Sequence, residues 1–244
     1  MILSRIFSFA AILVLVAFVA TETRAQSPDR SVLESELRAL LGELKATEQQ
    51  FLEPTAKDRR KNAEFLSEPD TGLIRLLPRE TFDNKLSIRG GGAYYSFTQL
   101  THEYGNGSDL SLQQGQFKVG FAGANFGFLT GLGKTAVEDI TLNHPAARYL
   151  ADFATPSAIA DAREQQDRTA AGFEANGFTY KSRLQLKKKT SYLLRSVNYR
   201  TSDVLVAFRV VSQDTDGSAV ILWKILKRFP VPELVVATQE SITR

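Results

Sequence analysis

The stretch from residue 190 to residue 229 constrains the fold most, because it holds two strongly apolar runs on either side of a turn signal. Apolar residues occur at both even and odd positions of residues 204–211 and 219–226. This pattern is typical of strands that are covered on two faces. Between them, residues 214–217 read Asp-Thr-Asp-Gly, and this sequence favours a hairpin turn. We therefore predict that these two strands pair at the centre of a sheet.

The hairpin also predicts which side chains share a face. A loop of two or four residues sets even positions of the first strand opposite odd positions of the second. One face should then contain Val204, Val206, Phe208, Val210, Ile221, Trp223, Ile225 and Phe229. The other face brings Arg209 and Lys224 together, and like charges need water, a carboxylate or an anionic ligand beside them. Both are candidate binding residues, and solvation or local pairing is the alternative.

Export is predicted from the first 25 of the 244 residues, which have the pattern of a signal peptide. Arg5 precedes an apolar run from residue 6 to residue 20, and Thr23 and Ala25 are small residues at cleavage-site positions. We expect a secreted or periplasmic bacterial protein without a stable membrane span after cleavage. The alternative is a retained N-terminal anchor.

Composition excludes several classes of protein. The chain has no cysteine, so it cannot be a small domain held together by disulfides and cannot bind a metal through thiolates. Its 30 Lys and Arg residues nearly balance its 27 Asp and Glu residues, and this balance argues against nucleic acid as a partner. The sequence Gly-Lys-Thr at residues 133–135 lacks the earlier glycine of a phosphate-binding loop. We expect no cofactor.

Residues 26–69 are predicted to form a helical arm. Leucines recur at steps of three and four residues, Ser31 and Glu34 have capping-box spacing, and Pro54 ends the amphipathic helix 31–53. A second, charged helix is expected at residues 56–66. The arm could pack on the rest of the chain, or helix 31–53 could form a homo-oligomer or a partner contact.

A β-sandwich domain is predicted for residues 70–232, because short apolar runs alternate there with turn residues. Candidate strands are residues 73–77, 85–88, 93–98, 110–113, 117–122, 126–129 and 178–186. A helical insertion at residues 145–171 interrupts them, and its second helix has the weak apolar stripe of a mobile lid. Residues 233–244 are expected to form a flexible tail. The predicted fold class is mainly β: an antiparallel β-sandwich with an N-terminal amphipathic helical arm and a short helical insertion.

Two histidines are the only imidazoles in the chain. His102, Glu103 and His144 could form a metal-assisted hydrolase site, although neighbouring residues on a strand point to opposite faces. The competing interpretation makes His102 a surface or loop residue and His144 the residue before a helix-opening proline. We therefore predict no metal site and keep hydrolysis as an alternative.

Tyrosines are the remaining candidates for binding. Tyr94, Tyr95 and Tyr104 surround the His102 segment, and Tyr192 lies on a later strand. A tyrosine combines apolar area with a polar hydroxyl, which suits sugar and peptide recognition, although tyrosines are also common in β-cores. The predicted function is a non-catalytic binding or interaction protein of the bacterial envelope, for a small polar ligand such as a glycan or peptide, or for a protein partner. A structural, oligomerising protein is a further alternative.

Overall fold

A computed structural model describes residues 29–81, 87–105 and 107–235. The predicted signal peptide, and the predicted tail beyond residue 235, lie outside these ranges. The chain divides into two compact units, residues 1–40 and residues 41–244. No helix in the described ranges has both the length and the apolar character needed to cross a bilayer.

Five α-helices are present in the described ranges. Helix α1 spans Arg30–Leu52 and begins in the first unit. The others, all in the second unit, are α2 (Ala56–Lys61), α3 (Ala63–Leu66), α4 (Pro145–Asp152) and α5 (Ile159–Ala171). The predicted capping box at Ser31 is wrong, because α1 begins one residue earlier. Asp29 accepts hydrogen bonds from both the amide and the hydroxyl of Ser31, each at 2.9 Å. The aspartate therefore caps the helix by giving the Ser31 amide of the first turn a partner.

All strands in the described part of the second unit pair antiparallel. The larger sheet, sheet A, has the order β1-β11-β10-β9-β5, and the smaller, sheet B, has the order β2-β3-β4-β8; β6 and β7 form a separate pair. The bounds are β1 Thr71–Leu76, β2 Tyr94–Tyr95, β3 Leu110–Gln113, β4 Gln116–Lys118, β5 Phe126–Gly133, β6 Phe173–Ala175, β7 Phe178–Tyr180, β8 Arg183–Gln185, β9 Ser191–Asn198, β10 Ser202–Gln213 and β11 Ala219–Arg228. A short 3-10 helix, Arg79–Thr81, follows β1. The predicted mainly β, antiparallel fold class is confirmed.

The predicted hairpin is present as β10 and β11. Phe208 lies opposite Trp223, and Val210 lies opposite Ile221. Trp223 is only 3% exposed, as expected for a central strand. The loop extends from residue 214 to residue 218, closed by the Asp214 amide donating to the Ser218 carbonyl. It is one residue longer than predicted, and a register shift near Val210 restores the expected pairing.

Phe229 departs from the predicted face. The other seven residues belong to the cluster between the two sheets, Ile225 at its margin, whereas Phe229 packs with residues on the opposite side of sheet A. The register shifts again between Leu205 and Val206, beyond which the simple alternation no longer applies.

Sheets A and B contribute to one apolar core. Phe117 of sheet B contacts Tyr192 and Phe208 of sheet A, with ring centroids 5.4 and 5.2 Å apart. Phe97 contacts Trp223 in the same way at 5.3 Å. This packing buries one face of each sheet.

The helical insertion packs on the other face of sheet A. Ala146, Ala147 and Leu150 of α4 and Ala162 of α5 are fully buried there. The α5 side chain Gln166 also donates to the carbonyls of Gly123 and Asn125. Both faces of the central strands are therefore covered, as their apolar pattern indicates.

Among the other predicted strands, residues 85–88 are not confirmed. Residues 85 and 86 are outside the described ranges, and residues 87 and 88 form a bend. The glycines that follow, Gly90 to Gly92, all have positive φ, and they turn the chain towards β2. Only Tyr94–Tyr95 is strand within the predicted run 93–98.

Candidate polar binding face

Sheet B has a polar outer face formed by two cross-strand rows of side chains. The register sets Tyr94 opposite Ser111, Ser111 opposite Lys118, and Lys118 opposite Arg183. The second row consists of three glutamines, Gln113, Gln116 and Gln185. Opposite residues on neighbouring antiparallel strands have side chains about 5 Å apart. We call the seven residues of these two rows the polar face.

Strand alternation explains why these residues point away from the core. The intervening residues of the same strands, Tyr95, Leu110, Leu112, Phe117 and Leu184, pack in the cluster between the sheets. Exposure increases across the polar face, from buried Tyr94 and Ser111, through half-buried Lys118, to exposed Arg183 and Gln185. The sheet edge at β8 is thus the accessible side.

An aromatic cluster adjoins the buried end of the polar face. The Tyr94 ring lies 4.7 Å from that of Tyr104 and 5.3 Å from that of Phe121, between centroids. Arg79 Nη1 donates to Tyr94 Oη at 2.8 Å. Burial raises the pKa of the Tyr94 hydroxyl, and the nearby Arg79 charge opposes that rise. Gly90 fits beneath, where an added Cβ would lie 2.6 Å from the Tyr94 ring.

A shallow cavity of about 210 Å³ joins the aromatic cluster to the cations. Phe121 lines it together with Gln113, Lys118 and Arg183. Lys118 Nζ donates to Gln113 Oε1 at 2.8 Å, which directs the Gln113 amide group. Apolar area, amides and positive charge therefore meet at one place, a combination that recognises polar ligands.

The structure separates the predicted binding tyrosines. Tyr94 and Tyr104 lie together at the polar face. Tyr95 is buried between the sheets, 4.9 Å from the His102 ring, and burial raises its pKa. Tyr192 is also a core residue, stacked 5.1 Å from Phe208. Its hydroxyl donates to the Gln185 carbonyl and accepts from the Lys187 amide, each at 2.9 Å, so it supports the β8 edge from inside.

Arg209 and Lys224 lie on the other face of sheet A, where both contact backbone carbonyls. Arg209 Nη1 donates to Thr135 O at 2.8 Å, and Lys224 Nζ donates to Glu138 O at 2.8 Å. Desolvation lowers the pKa of Lys224. A cavity of about 580 Å³ next to Lys224 is also lined by Lys61 and three glutamates, Glu64, Glu68 and Glu138. Its two lysines lie beside three glutamates, so it lacks the single sign of charge found at the polar face and is a weaker candidate.

The two histidines have structural contacts. His102 is 6% exposed; its Nε2 is 2.9 Å from the Arg75 carbonyl, and burial lowers its pKa to about 4. His144 caps α4, its Nδ1 accepting from the Ala146 amide. Within the described ranges, no three His, Asp or Glu side chains are grouped as a metal site requires. The structure therefore does not assemble His102, Glu103 and His144 into the alternative hydrolase site.

The most buried ion pair among the described residues is also structural. Arg195 and Asp203 join β9 to β10 through two hydrogen bonds, at 2.9 and 2.8 Å. The remaining guanidinium N–H groups reach the carbonyls of Leu150 and Phe153 and the hydroxyl of Thr155. All five donors have partners inside the protein, so this arginine has none left for a ligand.

The cations and glutamines of the polar face were not among the residues predicted from the sequence. A signal for them was present: residues 181–189, Lys-Ser-Arg-Leu-Gln-Leu-Lys-Lys-Lys, contain five cations and no acid. No acidic residue occurs between Glu174 and Asp203. Such a run shows a basic surface, but only the strand register shows which residues it adjoins.

Comparison with protein-family models, with curated proteins and with solved structures finds no match to this chain. Function is therefore inferred from the residues and their geometry alone.

Proposed function

We propose that this chain is an exported, non-catalytic binding protein of the bacterial envelope that binds a polar ligand, a glycan, on the polar face. The single observation that supports this proposal is the alignment of Gln113, Gln116 and Gln185 in one cross-strand row. Primary amides donate and accept hydrogen bonds together, as sugar hydroxyls do. A row of them on an open sheet can contact successive hydroxyls along a glycan.

The surrounding residues suit the same ligand. Tyr104 and Phe121 are half-exposed and offer apolar area at one end of the rows. The sheet fixes the positions of the glutamine backbones, and such preorganisation reduces the conformational entropy lost on binding. Binding without catalysis is proposed because the imidazoles, which would supply acid–base chemistry, have the structural contacts described above.

A glycan array tests this function. The variant Gln116→Ala/Gln185→Ala should lose signal for whichever glycans the unmodified protein binds, because it removes two of the three amides. The matched control is Gln49→Ala/Gln50→Ala, which removes two exposed amides from α1. Equal signals from all three proteins, or no glycan signal for the unmodified protein, would contradict the proposal.

Self-association through α1 is a second candidate, supported by an exposed apolar stripe. Leu33, Leu37, Leu40, Leu44 and Phe51 are between 40% and 61% exposed. Their spacing of four, three, four and seven residues is that of a coiled-coil seam. If this stripe joins two copies, Leu37→Glu/Leu40→Glu should convert a dimer to a monomer in light scattering. A monomer before substitution would refute it.

A further inference from the structure

The polar face continues into a basic loop. After Gln185 the chain passes through buried Leu186 to three exposed lysines, Lys187, Lys188 and Lys189. Arg183 and Lys118 lie in the neighbouring row of the face. The glutamine row thus has cations on two sides. We call Lys118, Arg183 and the three lysines the basic strip.

The loop that presents the lysines is held to the core. The Lys187 amide donates to the buried Tyr192 hydroxyl, and the Lys189 amide donates to the Val210 carbonyl at 2.8 Å. Thr190 is bonded to the same strand, since its carbonyl accepts from the Val210 amide. A fixed backbone keeps the three charges close together in spite of their mutual repulsion.

The basic strip is not neutralised by the protein within the described ranges. The ion pairs found there involve other side chains. Glu80 contacts the adjoining β3–β4 turn, but its carboxylate accepts the Gln114 amide at 2.8 Å. Uncompensated like charges on a fixed surface create a positive potential that attracts anions.

We infer that the ligand of the polar face is an acidic polysaccharide whose carboxylate or phosphate groups contact the basic strip while its hydroxyls contact the glutamines. This inference rests on the proposed function. Arg183, Gln185 and Lys187 follow one another at two-residue steps, about 7 Å each along an extended chain. Cation, amide and cation therefore alternate along the β8 edge, which complements a polymer that carries both anionic groups and hydroxyls.

Other polyanions fit less well. A plane of lipid headgroups would neutralise the cations and leave the glutamine row without specific partners. Single-stranded nucleic acid needs a series of open aromatic rings for base stacking. Here Tyr94 is buried, and the half-exposed rings of Tyr104 and Phe121 lie only at one end of the polar face. Both polyanions are retained as outcomes of the test.

The test compares dextran with carboxymethyl-dextran, which share a backbone and differ in carboxylates. By titration calorimetry, carboxymethyl-dextran should bind at least about tenfold more tightly than dextran, as three or four exposed ion pairs would give. Its affinity should fall when salt is raised from about 0.05 to about 0.5 M. Anionic phosphatidylglycerol vesicles and single-stranded DNA should bind more weakly.

Matched variants localise the effect. Arg183→Gln/Lys187→Gln/Lys188→Gln should weaken carboxymethyl-dextran binding about tenfold. Lys57→Gln/Arg60→Gln/Lys61→Gln removes the same residue types from exposed positions of α2 and should change binding by less than about twofold. The charge-preserving variant Arg183→Lys/Lys187→Arg/Lys188→Arg should retain binding. All substituted side chains are exposed, so thermal unfolding should match that of the unmodified protein.

Failure of this inference differs from failure of the proposed function. Suppose that the unmodified protein binds the two dextrans equally and that Gln116→Ala/Gln185→Ala binds neither. This result would contradict the proposal of an acidic ligand and would leave the proposal of glycan binding in place. Equal loss in both neutralised variants, or tighter binding to vesicles or DNA, would also overturn it. If no glycan binds at all, both proposals fail.

Discussion

Charged side chains have different surroundings in the two sheets. On β9 of sheet A, Arg195 is 1% exposed and all its N–H groups have protein partners. On β8 of sheet B, Arg183 is exposed and forms no ion pair with a described residue. Burying a guanidinium requires that its charge and donors be satisfied internally. An open sheet edge imposes no such requirement, so its charges remain available to a ligand.

Buried carboxyl groups show a second contrast. Asp203 has Arg195 as its partner. Asp109, between the sheets, accepts instead from neutral donors, the Phe97 amide at 2.8 Å and Asn198 Nδ2 at 2.9 Å. Burial raises the pKa of Asp109 to about 7, although hydrogen bonds from the Ser196 side chain and the Phe97 amide oppose the rise. The neighbours of a buried carboxyl group therefore decide whether it forms an ion pair or accepts hydrogen bonds from neutral donors.

Removing Asp203 should have the largest effect on stability. Asp203→Ala leaves the Arg195 charge buried without its carboxylate, and the free energy of unfolding should fall by about 3–5 kcal/mol. Urea denaturation measures this change. Arg183→Ala is the matched control at the open edge and should change it by less than about 0.5 kcal/mol. Similar losses in both variants would remove the distinction between the two arginines.

Asp109 should make stability depend on pH. Because its folded pKa is raised from an unfolded value near 4, it contributes stability that is present below pH 4 and is lost as pH rises to about 7. Relative to Asp109→Asn, the unfolding free energy should therefore fall by about 1 kcal/mol per pH unit across this window.

His102 acts in the opposite direction, because its folded pKa is lowered to about 4. Its contribution is the same in both proteins, so it cancels in the comparison of wild type with Asp109→Asn. Urea denaturation at pH 4.5, 6 and 8 provides the measurement. Parallel pH profiles for the two proteins would show that Asp109 is ionised in the folded state at all these values.

Tyr192→Phe should have the smallest effect. It removes the hydroxyl that bonds Gln185 and Lys187 while keeping the ring stacked in the core, and it should cost about 1 kcal/mol. Tyr180→Phe is the matched control, since it removes a buried hydroxyl that donates to the Ala146 carbonyl in the core on the other side of sheet A. We expect only Tyr192→Phe to weaken carboxymethyl-dextran binding, because only it loosens the basic loop.

Local patterns predicted much of sheet A and little of the site. Apolar residues at both even and odd positions identified β10 and β11 correctly and placed Trp223 in the core, because a strand covered on two faces favours apolar residues at both. Phe229 was assigned to the wrong face, since a register shift cannot be read from alternation. Tyr94 and Tyr104 were candidates from sequence and do lie together, whereas Tyr95 and Tyr192 proved to be core residues.

The sequence by itself determined the fold class, the central hairpin and the absence of cysteine chemistry, because these follow from residue type and short-range periodicity. Only the tertiary structure decided that Ser111, Lys118 and Arg183 share a row. It also decided that every N–H donor of Arg195 has a partner within the protein, whereas Arg183 is exposed. Those facts depend on pairing between strands far apart in the chain, such as that of Lys118 in β4 with Arg183 in β8. Local propensity contains no information about such register, so the candidate site emerged only when the strands were assembled.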